Sequence, residues 1–242
     1  MKILITGATS GIGKSLAIKY AQLGHRVFGI GRSLDGLREL SEYNVIPISA
    51  DVTDLNSVAQ AGEQISNQSP SLDLVILNAG TCEYIDATQF TSQTFKDVMN
   101  VNFFGITNCL ECFLPLLRKA NNPHLVGVAS MAYYLPLSRA EAYGASKAAV
   151  NYLFEALAID LAELNIDVTV INPGFVKTPL TGRNDFEMPF LVDVDDATTI
   201  IMTGITQRVA EISFPSKLTL PMKILSLLPR TLWRTVGKIF RK

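Results

Sequence analysis

Tyr143 and Lys147 stand four positions apart in the run AYGASKAAV, residues 142–150, where the alanines favour a helix. At that spacing the two side chains are neighbours on one helical face. A free phenol, with a pKa of about 10, holds its proton too tightly to work near neutral pH, and a positive charge beside it stabilises the phenolate. The pair is therefore suited to passing a proton. The same spacing also occurs on ordinary helix surfaces, so its meaning depends on what the rest of the chain brings to it.

A second group of residues could hold a phosphate. The segment Thr6-Gly7-Ala8-Thr9-Ser10-Gly11-Ile12-Gly13 follows a short apolar run, Lys2–Ile5, and opens directly into a helical pattern. Glycines there let the backbone turn tightly and approach a pyrophosphate, whose charge a helix N-terminus favours. The next apolar run ends in Gly31-Arg32-Ser33. A dinucleotide enzyme using NAD usually carries an acid at that tip to hold the ribose 2′-hydroxyl, whereas a 2′-phosphate calls for arginine. An acid would repel the phosphate, while the guanidinium of Arg32 can grip it with two charge-assisted bonds. The alternative is an exposed loop arginine.

These residues need a scaffold, and the pattern of the chain supplies one. Strands are expected at Lys2–Ile5, Arg26–Ile30, Val45–Ser49, Leu72–Leu77, Leu125–Ala129 and Asp167–Ile171. Helices are expected at Ile12–Leu23, Leu34–Ser41, Asp54–Asn67, Thr91–Lys119 and Glu141–Leu164. The strands are nearly continuous apolar runs, as strands covered on both faces should be. Strict β-α alternation implies a single doubly wound (Rossmann) α/β fold, a parallel sheet with helices on both faces and right-handed crossovers. In such a sheet, ligands bind beyond the carboxyl ends of the strands.

Composition narrows the functional classes. The formal charge of the 242-residue chain is −1, without the basic excess of a nucleic-acid surface. Cys82, Cys109 and Cys112 are too few and odd in number for a disulfide framework, and the pair Cys109 and Cys112 lies in a run that reads as a buried helix. His25 and His124 precede strands rather than following them, and are expected to be structural, with no metal site. The N-terminal apolar run is too short for a signal peptide and no window could span a bilayer, so a cytoplasmic protein is expected.

Taken together, the motifs resemble those of the short-chain dehydrogenase/reductase family, from the first strand to about Pro179. They are TGATSGIG at 6–13, DV at 51–52, NAG at 78–80, NVNFFG at 100–105, Ser130, YGASK at 143–147 and PGFVKT at 173–178. Ala129 and Leu77 are small departures, at positions where the family often has a serine and an asparagine. The resemblance implies that Tyr143 is the general acid/base and that Lys147 both lowers its pKa and holds the nicotinamide ribose hydroxyls. Ser130 would bond the substrate oxygen, and Asn102 would support a water-mediated proton relay to Lys147. Asp51 and Val52 would contact the adenine, and Asn78, Ala79 and Gly80 would line the adenosine ribose. Pro173, Gly174, Val176 and Thr178 would border the cofactor, the last two at the carboxamide and phosphates. Tyr133 and Tyr134 either line the substrate pocket or pack.

The expected function is an NADP(H)-dependent oxidoreductase interconverting a carbonyl and an alcohol, with NADP(H) favoured over NAD(H). A catalytically silent nucleotide-binding regulatory protein of the same fold is the alternative, and an epimerase a third. The long apolar helices Thr91–Lys119 and Glu141–Leu164 imply a homodimer or homotetramer.

Residues 1–216 are expected to form the dinucleotide-binding domain and 217–242 a separate basic segment. Seven basic residues and no acids fall between Lys217 and Lys242, leaving 14 basic against 22 acidic residues elsewhere. After Pro229, Leu232, Trp233, Val236, Ile239 and Phe240 share one helical face, with basic residues on the other. Two readings follow. The helix lies in an anionic membrane surface with Trp233 at the headgroups, which would favour a lipid-like carbonyl, or its apolar face packs on the substrate cleft or a partner subunit.

Overall fold

The computed structural model describes residues 1–239, with the side chains of Arg230, Val236, Lys238 and Ile239 outside that description. Seven parallel strands form one sheet in the order β3-β2-β1-β4-β5-β6-β7. They are β1 Lys2–Thr6, β2 Arg26–Gly31, β3 Val45–Ser49, β4 Leu74–Leu77, β5 His124–Val128, β6 Asp167–Pro173 and β7 Glu211–Phe214. Strand order runs outward one way from β1 to β3 and the other way from β4 to β7. The crevice at this reversal, between β1 and β4, lies above Thr6 and Leu77.

Both faces of the sheet are covered, as the continuous apolar strands require. Along β1, Leu4 joins a core with Val58 and Ile65 of α3 (Leu55–Gln68), Phe113 and Phe154. Its neighbours Ile3 and Ile5 point the other way, to Leu16 of α1 (Gly11–Gln22), Leu40 of α2 (Leu34–Glu42) and Ile201. This period-two alternation of two buried sets is what a strand between two helical layers must show.

The six expected strands and four of the five expected helices are present with ends within two residues of those expected. The expected helix Thr91–Lys119 is instead three pieces: α4 (Ser92–Met99), a π-helical turn (Asn100–Phe104) and α5 (Gly105–Leu117). The start of α5 meets the turn after β3 closely just there, since a Cβ on Gly105 would lie 2.7 Å from Val52 Cγ2. The widened turn carries Asn102. The long α6 (Glu141–Ala162) follows β5, and α7 (Val194–Thr206) with β7 completes the sheet. The C-terminal helices are α8 (Ser216–Ser226) and α9 (Arg230–Ile239).

Cys109 is buried in α5, which pushes its thiol up to about 12, and no disulfide forms among the three cysteines. His124 is buried in β5 with Nε2 2.8 Å from Thr169 Oγ1, and burial pushes it down to about 4. Among the described residues no group of side chains could hold a metal ion, and no helix is long and apolar enough to cross a membrane.

Candidate active site

The glycine-rich turn is built by close approach. Gly7 has φ +65°, and a Cβ on it would lie 2.9 Å from Ala79 Cα. A Cβ on Gly13 would lie 2.4 Å from the Gly7 carbonyl oxygen, so only glycine lets α1 start this near β1. Ser10, at the N-cap, makes no side-chain cap, which leaves the first amides of α1 free for an anion. Thr6, whose side chain the sequence reading left without a role, accepts from the amides of Asn78 at 3.0 Å and Ala79 at 3.1 Å. Asn78 in turn donates to the Thr6 carbonyl at 3.1 Å. The Asn78 side chain therefore braces the turn rather than lining the cavity at the tip of β2.

That cavity, about 440 Å³, holds Arg32, Asp51, Val52, Thr9, Ala79 and Gly80. Arg32 Nη1 lies 3.3 Å from Asp51 Oδ2. Burial acts to raise Asp51, but hydrogen bonds from Thr53 and the Arg32 guanidinium outweigh it and lower its carboxyl. The tip of β2 bears no acid of its own, yet the end of β3 brings one to its arginine.

A second cavity of about 180 Å³ shares Gly7, Ser10, Ala79 and Gly80 with the first. It continues over Gly11, Ile12 and Asn78 to Ser130, Tyr143, Lys147, Pro173, Gly174, Val176 and Thr178. Thr181, not singled out from sequence, fixes its rim: it accepts from the Thr178 amide at 3.0 Å and donates to the Val176 carbonyl at 2.5 Å. The expected residues other than Asn102 thus lie along one trough, with Gly13 packed beneath it.

Within the trough, Lys147 is buried and donates to the Val128 carbonyl at 2.8 Å, with Nζ 5.8 Å from the Tyr143 ring centroid. Burial pushes Lys147 down to about 8. Burial pushes Tyr143 up to about 12, against the lowering expected of Lys147 and opposed by the Ser130 hydroxyl. Ser130 follows β5 in extended conformation and accepts from the Ala132 amide at 3.2 Å.

Asn102 is fully buried. Its Oδ1 accepts from the Thr81 amide at 2.7 Å, and its Nδ2 donates to the Thr81 carbonyl and to Ser146 Oγ, each at 2.9 Å. Ser146 Oγ donates to the Tyr143 carbonyl at 2.7 Å, so Asn102 ties the strand-end loop to the helix of Tyr143 and Lys147. A Cβ on Gly80 would lie 3.2 Å from Asn102 Oδ1 and 3.4 Å from Lys147 Nζ, placing both groups beside one glycine. Thr81 and Ser146 were not read as site residues, because their contribution is a contact across 44 positions of chain or fewer that no motif spacing records.

Ser130 and Tyr143 also face a third cavity, of about 460 Å³, whose walls are mostly apolar. Met131, Leu137, Phe175, Phe186 and, from the C-terminal helices, Leu218, Met222, Leu225 and Trp233 line it. Trp233 Nε1 donates to the Pro136 carbonyl at 2.9 Å. Of the two readings of this segment, the tryptophan follows the one in which it packs on the cleft. Phe240, Arg241 and Lys242, and the side chains of Val236 and Ile239, lie outside the described residues. Glu211 fixes the base of α8. Burial acts to raise it, but Lys223 at 2.5 Å, Ser213 at 2.7 Å, Asn172 at 2.9 Å and the Tyr134 hydroxyl together hold its carboxyl down at about 2. Tyr134 and its neighbour Tyr133, whose rings meet at a tilt, pack here, and neither lines the cavity.

Fold and trough define a doubly wound protein with a groove over its glycine-rich turn that opens onto an apolar chamber. The short chain dehydrogenase family model matches residues 1–188, and the chain belongs to that family of oxidoreductases. An uncharacterized oxidoreductase of Myxococcus xanthus is 35% identical over 98% of this chain and 96% of its own. Among solved structures, a short chain dehydrogenase from Burkholderia cenocepacia in complex with NADP has a TM-score of 0.85 at 23% identity, covering 98% of this chain and 99% of that one. A short chain dehydrogenase/reductase from Burkholderia phymatum in complex with NAD has a TM-score of 0.84 at 22% identity, covering 92% of each chain.

Proposed function

We propose that the protein is an NADP(H)-dependent oxidoreductase that interconverts a carbonyl and an alcohol on apolar, lipid-like molecules. One observation carries this reading: Ser130 and Tyr143 belong to both the trough that begins at Arg32 and Gly7 and the apolar cavity beyond it. A bound NADPH would supply the hydride. Gly7, Ser10 and the first turn of α1 would hold its pyrophosphate, and Arg32 its 2′-phosphate. Tyr143, protonated at any ordinary pH, gives its proton to the carbonyl oxygen, and the Ser130 hydroxyl shares the charge that develops there. The Lys147 ammonium holds the nicotinamide ribose and adds positive charge beside Tyr143. Asn102 positions the helix that carries both. In the reverse direction, Tyr143 must accept the proton.

A silent binding protein of the same fold would have no need of Ser130 and Tyr143 at the end of an apolar chamber with Lys147 and Asn102 beside Gly80. Pairing of subunits through α5 and α6 is supported by Tyr152 and Ile159, which are 79% and 75% exposed and share one face of α6.

The test is NADPH consumption with ketones of increasing chain length. A cavity of apolar walls should return about 0.8 kcal/mol per buried methylene, so kcat/KM should climb about fourfold per carbon until the chamber is filled. A profile that is flat or falls from the shortest ketone overturns the substrate class.

A further inference from the structure

The C-terminal helix α8 is apolar on two opposite faces. Leu218, Met222 and Leu225, spaced i, i+4 and i+7, face the apolar cavity. Leu220, Ile224 and Leu227 repeat that spacing two residues later, which on a helix is about 200° around the axis. They are 61%, 58% and 84% exposed, and no described residue covers them. Leu228 and Leu232 extend the exposed patch toward α9. A helix that only closed a cavity would be polar on its outer side.

We infer that this outer face of α8 docks on an anionic lipid bilayer, so that apolar substrate passes from the bilayer to the chamber behind the helix. Charge selects the occupant. The segment from Lys217 onward carries seven basic residues and no acid, against a net −8 for the rest of the chain. Lys223 is tied to Glu211, but Lys217 and Arg234 are exposed. A second copy of this chain meeting the stripe with its own stripe would bring two basic, acid-free segments together, and their like charges oppose that pairing. An anionic bilayer offers both charge and hydrocarbon. The surface differs from the one the sequence suggested: Trp233 turns inward to Pro136, and the leucine stripe of α8 takes the outer position. The inference rests on the oxidoreductase reading only for what travels through the site. Docking itself is measured without turnover.

The experiment sediments the full chain with vesicles of phosphatidylcholine alone or mixed with phosphatidylglycerol, over a salt series. Binding to the mixed vesicles at low salt, release at high salt and little binding to the neutral ones are expected. Ile224→Asp with Leu227→Asp, neither of which lines the cavity, should reduce the bound fraction tenfold or more while NADPH binding and reduction of a short water-soluble ketone stay at wild-type levels. Lys217→Glu with Arg234→Glu, both exposed, provides the same loss in a variant with no apolar change, in case the first does not fold. Wild-type protein that ignores anionic vesicles, or binds neutral ones equally, overturns the inference. So does an apolar-face variant that splits an oligomer while leaving vesicle binding intact.

Discussion

Replacing Arg32 by alanine separates the two nicotinamide cofactors. The arginine side chain is 70% exposed and its Nη1 lies 3.3 Å from Asp51 Oδ2, so the guanidinium meets a phosphate with one carboxylate already beside it. A hydrogen bond to a charged group contributes about 1.5–3 kcal/mol, and exposure and the competing carboxylate place this one at the low end. A loss of about 1.5 kcal/mol is roughly tenfold in Kd. NADPH should therefore bind about tenfold more weakly to Arg32→Ala, while NADH, which has no 2′-phosphate, changes less than twofold. Asp51→Asn should act in the opposite sense, tightening NADPH by removing a negative charge near the phosphate site. Titration of each of these proteins with NADPH and with NADH, by fluorescence or calorimetry, reads these values directly. A wild-type protein that binds NADH as well as NADPH, or an alanine variant that loses both equally, refutes the role of Arg32.

Two further outcomes follow from buried and exposed groups. Reduction needs the Lys147 ammonium and the Tyr143 phenol both protonated; Tyr143 stays so to about pH 12, whereas burial brings Lys147 to about 8. The kcat/KM for reduction should be level below pH 7 and fall about tenfold between pH 7 and 9, and a profile level through pH 9.5 would contradict the burial of Lys147. Tyr152→Glu with Ile159→Glu should halve the mass measured in solution by placing like charges across the paired α6 helices, and a wild-type monomer at every concentration would remove that interface.

The scaffold was legible in the sequence wherever an element is long, apolar and local. β1 to β6 announce themselves as continuous apolar runs between turns, and the loop at Gly7 as a cluster of glycines at a strand end. β7 did not, because Glu211–Phe214 is a four-residue edge strand whose first side chain is an acid bound to α8. The break at Asn100–Phe104 was hidden for a different reason. It lies where Gly105 meets Val52, a residue distant in the chain, and helical periodicity carries no trace of that contact. The orientation of α9 depends likewise on the turn after α8, which decides whether Trp233 faces the cleft or water. The spacing of Tyr143 and Lys147 gave their adjacency but not their titration. Burial controls the latter, and a spacing of four says nothing of burial.

The most direct test of the account is Tyr143→Phe. The ring and its packing remain and the transferable proton is gone, so kcat for reduction of a medium-chain ketone should fall by about a hundredfold or more while the Kd for NADPH stays within about twofold of wild type. A phenylalanine variant that reduces the ketone at near wild-type kcat would show that the proton comes from elsewhere, and the assignment of this site would fail.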